Sequence, residues 1–171
     1  MKFSHLVLWV VLTLSISGCS SLYVLHPVSI IENAPAEKLK YAVITPTTPI
    51  SSASAGLYGG DYIFYGASTT KTVTPGDVIK GNLIKRGIVI LPSVEENLKS
   101  ETVIVSYGES GRRSLGLGYT IEVTIQFVSA ENSSLVCSCT AEGMGETEVD
   151  DVRIAINRCL DGLFLPKYPQ Y

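Results

Sequence analysis

Histidine is nearly absent from this chain: its 171 residues hold two, His5 and His26. A Ser-His-Asp arrangement needs an imidazole base held among the other catalytic groups, and both histidines precede the first strand-like segment. Such a triad is therefore not expected. Basic residues are also sparse, with 13 Lys and Arg against 16 Asp and Glu, and only Lys2 of these charges precedes Cys19. From Cys19 onward the formal charge is −4, and the one arginine pair is Arg112-Arg113. A phosphate-backbone binder needs a basic face, so nucleic acid is not an expected partner. Beyond Cys19 the cysteines number three, Cys137, Cys139 and Cys159. With no histidine beside them they are too few for a four-ligand zinc site, and no metal or cofactor is expected. Long apolar runs are missing as well. The longest, Leu6 to Leu14, breaks at Ser15, Ser17 and Gly18, short of the roughly 20 residues a membrane-spanning helix requires.

That short run has another meaning. A charged start at Lys2, an apolar stretch and small residues before a cut site make an export signal. The residues Ile16-Ser17-Gly18-Cys19 resemble the bacterial lipobox, in which a branched apolar residue and two small ones precede a cysteine that becomes acylated. The resemblance implies removal of residues 1–18 and lipidation of Cys19. Residues 19–40, with Pro27 and Pro35, then form a lipidated N-terminus and tether, the least ordered part of the chain after Cys19. Residues 41–171 form a single domain. Each buried CH₂ of a lipid contributes roughly 0.8 kcal/mol, so two or three acyl chains anchor firmly. Ser20, where enterobacterial sorting signals for inner-membrane retention carry Asp, favours the outer membrane, facing the periplasm.

Hydrophobic patterning predicts an α+β domain. Tyr41 to Thr45 reads as a short buried strand closed by Pro46. Residues 47–74 form a Ser-, Gly- and Tyr-rich excursion with a strand-like piece from Tyr58 to Tyr65, read as a partly ordered hairpin. Thr74-Pro75-Gly76-Asp77 starts a helix that Gly87 stops, with Val78, Ile79, Leu83 and Arg86 on or near one face. Ile88 to Leu91 and Thr102 to Tyr107 are further strands. Tyr119 to Val128 and Leu135 to Ala141 form a hairpin, and Ile121, Val123, Ile125 and Phe127 alternate with polar residues on the first of its strands. A last helix near Glu148 to Phe164 begins at a capping box approximated by Thr147 and Asp150. It carries Val149, Val152, Ile156, Cys159, Leu160 and Leu163 as an apolar stripe. The expected fold is a small, mostly antiparallel sheet of about five strands with two helices on one face.

The order of an early Tyr-Ala-Val-Ile strand, a helix running into Lys-Arg-Gly-Ile-Val-Ile, an amphipathic hairpin and a closing helix is similar to the TolB amino-terminal-like domains of envelope lipoproteins, the group of the CsgG-like and LpoB-like proteins. The blocks Tyr107 to Arg113 and Gly116 to Val123 also resemble an uncharacterised lipoprotein family of Bacteroides-type bacteria. Neither resemblance supplies catalytic residues. Both imply a protein that binds other envelope components.

Candidate sites in the domain are few. Gly108-Glu109-Ser110-Gly111 falls short of Gly-x-Ser-x-Gly and reads first as a glycine-rich loop between strands. Arg112, Arg113 and backbone N–H groups there make an anion-binding loop the second reading. Tyr58, Tyr62 and Tyr65, set among glycines, offer adaptable contact area for protein or glycan, against a hairpin that merely packs on its own domain. Cys137 and Cys139 share a strand face turned toward Cys159. They are either buried small hydrophobes or include a bridge, Cys139 to Cys159 or Cys137 to Cys159, worth roughly 3 kcal/mol for a loop of about 20 residues. The expected function is that of a non-enzymatic, membrane-anchored lipoprotein acting by binding or assembling with an envelope protein or cell-wall component. The alternative is a hydrolase working on envelope polymer through carboxylates, which calls for close acids with perturbed pKa values in a pocket.

Overall fold

The computed structural model describes residues 24–60, 63–116 and 118–164, with backbone alone for 53–60 and 63–69. The export signal, Cys19, Tyr62 and Leu117 lie outside the described residues.

Eight strands and two helices make an α+β fold: β1 (Ser29–Glu32), β2 (Tyr41–Ile44), β3 (Ile50–Gly60), β4 (Ile63–Val73), α1 (Pro75–Lys85), β5 (Val89–Ile90), β6 (Thr102–Ser114), β7 (Tyr119–Ser129), β8 (Leu135–Gly143) and α2 (Glu148–Phe164). Among the described residues, six strands form one sheet in the order β1-β8-β7-β6-β2-β5, while β3 and β4 pair with each other. The β1–β8, β8–β7 and β7–β6 junctions are antiparallel, and β2 runs parallel to both β6 and β5. β5 is parallel to β2 because α1 carries the chain back to the starting edge, as a crossover between parallel strands must, and residues 91–101 make the second crossover, from β5 to β6.

Alternation decides which face of the sheet meets the helices. Ile121, Val123, Ile125 and Phe127 of β7, Cys137, Cys139 and Ala141 of β8, and Val103 and Val105 of β6 form one buried surface. Against it lie Val152, Ala155, Ile156, Cys159, Leu160 and Leu163 of α2, and Ile79 and Leu83 of α1. Burying side chains of this size stabilises by about 1.5–3 kcal/mol each. Phe127 meets Phe164 edge to face, with ring centroids 6.1 Å apart. Close approach of α2 to β8 depends on Gly143: a Cβ there would stand 1.9 Å from the Asp151 carbonyl oxygen and 2.6 Å from the Ala155 nitrogen. Only glycine lets the helix backbone rest on that strand. The opposite sheet face carries Gln126, Ser106 and the hydrogen-bonded Thr124 and Thr140.

Caps form as the local chemistry allows. At α2, the Thr147 hydroxyl accepts from the Asp150 N–H and donates to its carboxylate. At α1, Thr74 makes no side-chain cap. Instead Thr47, from the loop after β2, accepts the Gly76 N–H at 2.8 Å.

Three expectations change. The presumed tether is not loose over its length, because β1 pairs with β8 as an edge strand and residues 36–38 form a 3-10 turn with Ala36 buried. Pro27 and Pro35 flank that strand and so do not interrupt it. The excursion is a long regular hairpin, pairing Ile50 with Val73 through to Gly60 with Ile63. The sequence 108–114 is no loop: β6 continues to Ser114 opposite Tyr119, with an irregularity between Glu109 and Gly111. The glycines that read as loop punctuation accommodate that bulge.

Candidate functional site

The pleat of β6 sends the consecutive arginines to opposite faces. Arg112 pairs with Ile121 and so lies on the helix side. Its guanidinium reaches Glu148 at the start of α2 at 2.6 Å and Glu109 at 3.5 Å, and stacks over Tyr119 with 5.3 Å to the ring centroid. Arg113 lies on the other side, where Nε and Nη2 grip both oxygens of Glu142 at 2.8 and 2.6 Å. Both guanidiniums are thus engaged by carboxylates and diverge. The anion-binding loop is not built.

Glu142 is the centre of what the arginines do form. It is 3% exposed, and the Arg113 guanidinium, helped by the His26 N–H, holds its carboxyl down from 4.5 to about 2 against the opposing effect of burial. The His26 backbone N–H donates to Glu142 Oε2 at 2.9 Å, and the imidazole Nδ1 lies 3.1 Å from Oε1. Arg113 Nη2 also donates to the Val24 carbonyl at 3.1 Å. Arg158 of α2 donates to the His26 carbonyl at 2.9 Å and, by a short bond, to that of Glu142. Residues 24–26 are therefore clamped to the end of the sheet where β6 and β8 finish and β7 starts. Neither Glu142 nor Arg158 was singled out in the sequence. The only local signal was a Glu among the apolar residues at the end of β8, whose register partner is Glu122 and whose Arg113 lies two strands away.

The hairpin leaves from the same end. Ser52 Oγ accepts the Val149 N–H of α2 at 3.1 Å, Lys71 pairs with Asp150 at 2.8 Å, and Ser51 bonds Thr72 at 3.0 Å. Ile50 and Val73 pack on the core below. Tyr58 and Tyr65 are register partners two pairs from the turn. The structure therefore separates the sequence candidates: the tyrosines sit toward the hairpin's far end, and the arginines are tied into the domain.

The sulfur geometry is definite. Cys139 and Cys159 form a disulfide with Cα atoms 5.3 Å apart, joining β8 to α2. Cys137 is free and buried, and desolvation pushes its thiol up to about 12. A protonated, enclosed thiol is a poor nucleophile.

Two clefts adjoin the loop after β2. One, of about 380 Å³, lies beyond the carboxyl ends of the parallel strands β2 and β5 at the start of α1, with Thr45, Thr47, Asp77, Lys80 and Pro92 in its wall. Ligands of open α/β sheets favour this position. Here, however, the Gly76 N–H is taken by Thr47 and the Asp77 N–H by the Thr74 carbonyl, and the Asp77 carboxylate opposes an anion. The second cleft, of about 340 Å³, is lined by Pro46, Thr47, Thr48, Ile50, Tyr107 and Glu109. The Tyr107 hydroxyl is enclosed without a hydrogen-bond partner among the described residues. Burial, then Glu109 and Glu148, push its pKa upward. Each cleft holds one carboxylate. Asp151, whose pKa burial raises, lines neither and accepts the Gly145 N–H. No group of His, Cys, Asp or Glu among the described residues could hold a metal ion, and no described helix is long and apolar enough to cross a membrane.

No family model and no curated protein matches the sequence. Among solved structures, the chain is similar to a PelC dodecamer from Paraburkholderia phytofirmans at 17% identity and TM-score 0.44, covering 80% of this chain and 96% of that one. A single-substitution variant of the same dodecamer matches at 17% identity and TM-score 0.45, over 80% and 95% of the two chains. Neither likeness assigns a function.

Proposed function

We propose that this is a lipid-anchored envelope protein, a non-enzymatic domain fixed through Cys19 to the outer membrane on its periplasmic side, that binds or assembles with other envelope components.

 The observation that carries this reading is the join between anchor and domain. Ile16-Ser17-Gly18-Cys19 resembles a lipobox, and by Val24 the chain is already bound to the fold by Arg113, Glu142 and Arg158. An anchor followed so closely by a clamp suits a protein held at a set height over a membrane. The clefts lend no support to hydrolysis, since neither brings two acids together. Two measurements test the reading. Cys19→Ala should move the protein from the membrane to the soluble fraction, and a variant that stays membrane-bound refutes the anchor. Affinity capture of the tagged, lipidated protein from crosslinked envelopes should return a reproducible partner, and recovery of none counts against the binding role.

A further inference from the structure

We infer that the β3–β4 hairpin is a second membrane contact, its far end resting in the headgroup layer of the bilayer that holds the lipid on Cys19. The inference rests on the anchor reading above and adds where the domain touches that membrane.

Direction comes first. Ile50 shares a cleft with Tyr107 and Glu109 of β6. Two residues on, Ser52 meets the start of α2, which Arg112 holds from further along β6. The hairpin thus advances along β6 toward its carboxyl end and continues past it. Val24 and His26 leave the domain at that same end, bonded to Arg113 and Glu142. Val24 and the hairpin are thus held at the same end of the sheet, Val24 by Arg113 on the face opposite α2 and the hairpin base on the α2 face.

Reach comes second. From Cys19 to Val24 the chain spans at most about 17 Å when fully extended. Beyond its contacts with α2, the hairpin runs on through eight residues of β3, Ala53 to Gly60, paired with β4, or about 26 Å of strand. A projection longer than the tether that starts from the same end cannot stand clear of the bilayer unless it folds flat. The difference of about 9 Å matches the depth of roughly 5–10 Å at which interfacial elements settle.

Composition comes third. From Ile50 to Thr70 the only charged residue is Asp61. Leu57, Tyr58, Ile63, Phe64 and Tyr65 occupy the last four register pairs, and tyrosine favours the membrane–water boundary. An isolated two-stranded ribbon is marginal in water, so an outside surface would steady it. Its outer edges have no strand partner among the described residues. Unpaired edges are not tolerated in hydrocarbon, which confines the contact to the headgroup layer.

The test uses the full lipidated protein in phosphatidylethanolamine–phosphatidylglycerol vesicles, with an environment-sensitive fluorophore on Tyr58→Cys, on Phe64→Cys, or on Glu131→Cys in the β7–β8 turn at the opposite end of the sheet. In protein that floats with the vesicles, the two hairpin labels should shift to the blue and be quenched by nitroxide lipids, while the Glu131→Cys label stays in water. Floating protein whose hairpin labels remain in water overturns this inference and leaves the anchor standing. A blue shift that needs no vesicles and comes with crosslinks between copies also overturns it, in favour of a second copy of the chain as the occupant. Protein that does not float overturns the anchor reading, and the inference with it.

Discussion

Replacing Glu142 by Gln should flatten the acid side of this protein's stability curve. The carboxylate is 3% exposed, is gripped through both oxygens by Arg113, and titrates near 2 in place of 4.5. A group whose folded-state pKa is depressed contributes stability above its unfolded pKa and loses it as pH falls through the folded value. At about 1.4 kcal/mol per unit, the contribution at pH 7 is about 3 kcal/mol, of which about 2 is gone by pH 3. Other carboxylates titrate over the same range, Asp150 with a lowered pKa among them. The informative quantity is therefore the difference between wild type and Glu142→Gln. Urea unfolding of the soluble Cys19→Ala form at pH 7 and pH 3 gives it directly: wild type should lose about 2 kcal/mol more than the variant. Parallel losses would refute the argument, because the Arg113 contact would then contribute nothing that depends on the charge of Glu142.

The two arginines should separate in the same assay: Arg112→Ala, in an exposed ion pair, should cost less than about 1 kcal/mol, while Arg113→Ala leaves a buried carboxylate unpaired and should cost at least about 2. Equal effects would mean that Glu142 is not enclosed. Cys159→Ala opens a bridge across a separation of 20 residues and should lower stability by about 3 kcal/mol, with a smaller loss for Cys137→Ala. In the native protein Cys137 should react with a thiol reagent only on unfolding, and rapid labelling without denaturant would contradict its burial. Gly143→Ala should fail to accumulate as folded protein because its Cβ meets the α2 backbone, whereas at Gly108 a Cβ meets nothing within 4 Å and Gly108→Ala should stay within about 0.5 kcal/mol of wild type. Circular dichroism and yield of the two glycine variants side by side decide this, and a well-folded Gly143→Ala would overturn the packing of α2 on β8.

What could be read from residues alone was whatever a local period encodes. Alternation of Ile121, Val123, Ile125 and Phe127 set the buried face of β7, and the stripe from Val149 to Leu163 set both the extent and the inward face of α2. Those patterns follow from side-chain geometry within a single element, so no partner was needed to see them. Cys137, Cys139 and Cys159 could likewise be placed on facing surfaces, but which strand cysteine meets the helix depends on where along β8 the helix lies. Gly143 settles that by letting the Asp151 and Ala155 backbone come down onto the strand, and the bridge joins Cys139 to Cys159.

The rest belonged to contacts between distant residues. β1 has the composition of a linker and became a strand only because β8 offers it an unpaired edge. The glycines at 108 and 111 look like a loop until β7 pairs across them. Arg112 and Arg113 read as one basic pair, yet the strand pleat turns them to opposite faces, where Glu148 and Glu142 neutralise them separately. An ion pair, an edge strand and a bulge are each half of an interaction whose other half lies 11 to 111 residues away in the chain, and tertiary structure alone brings the halves together.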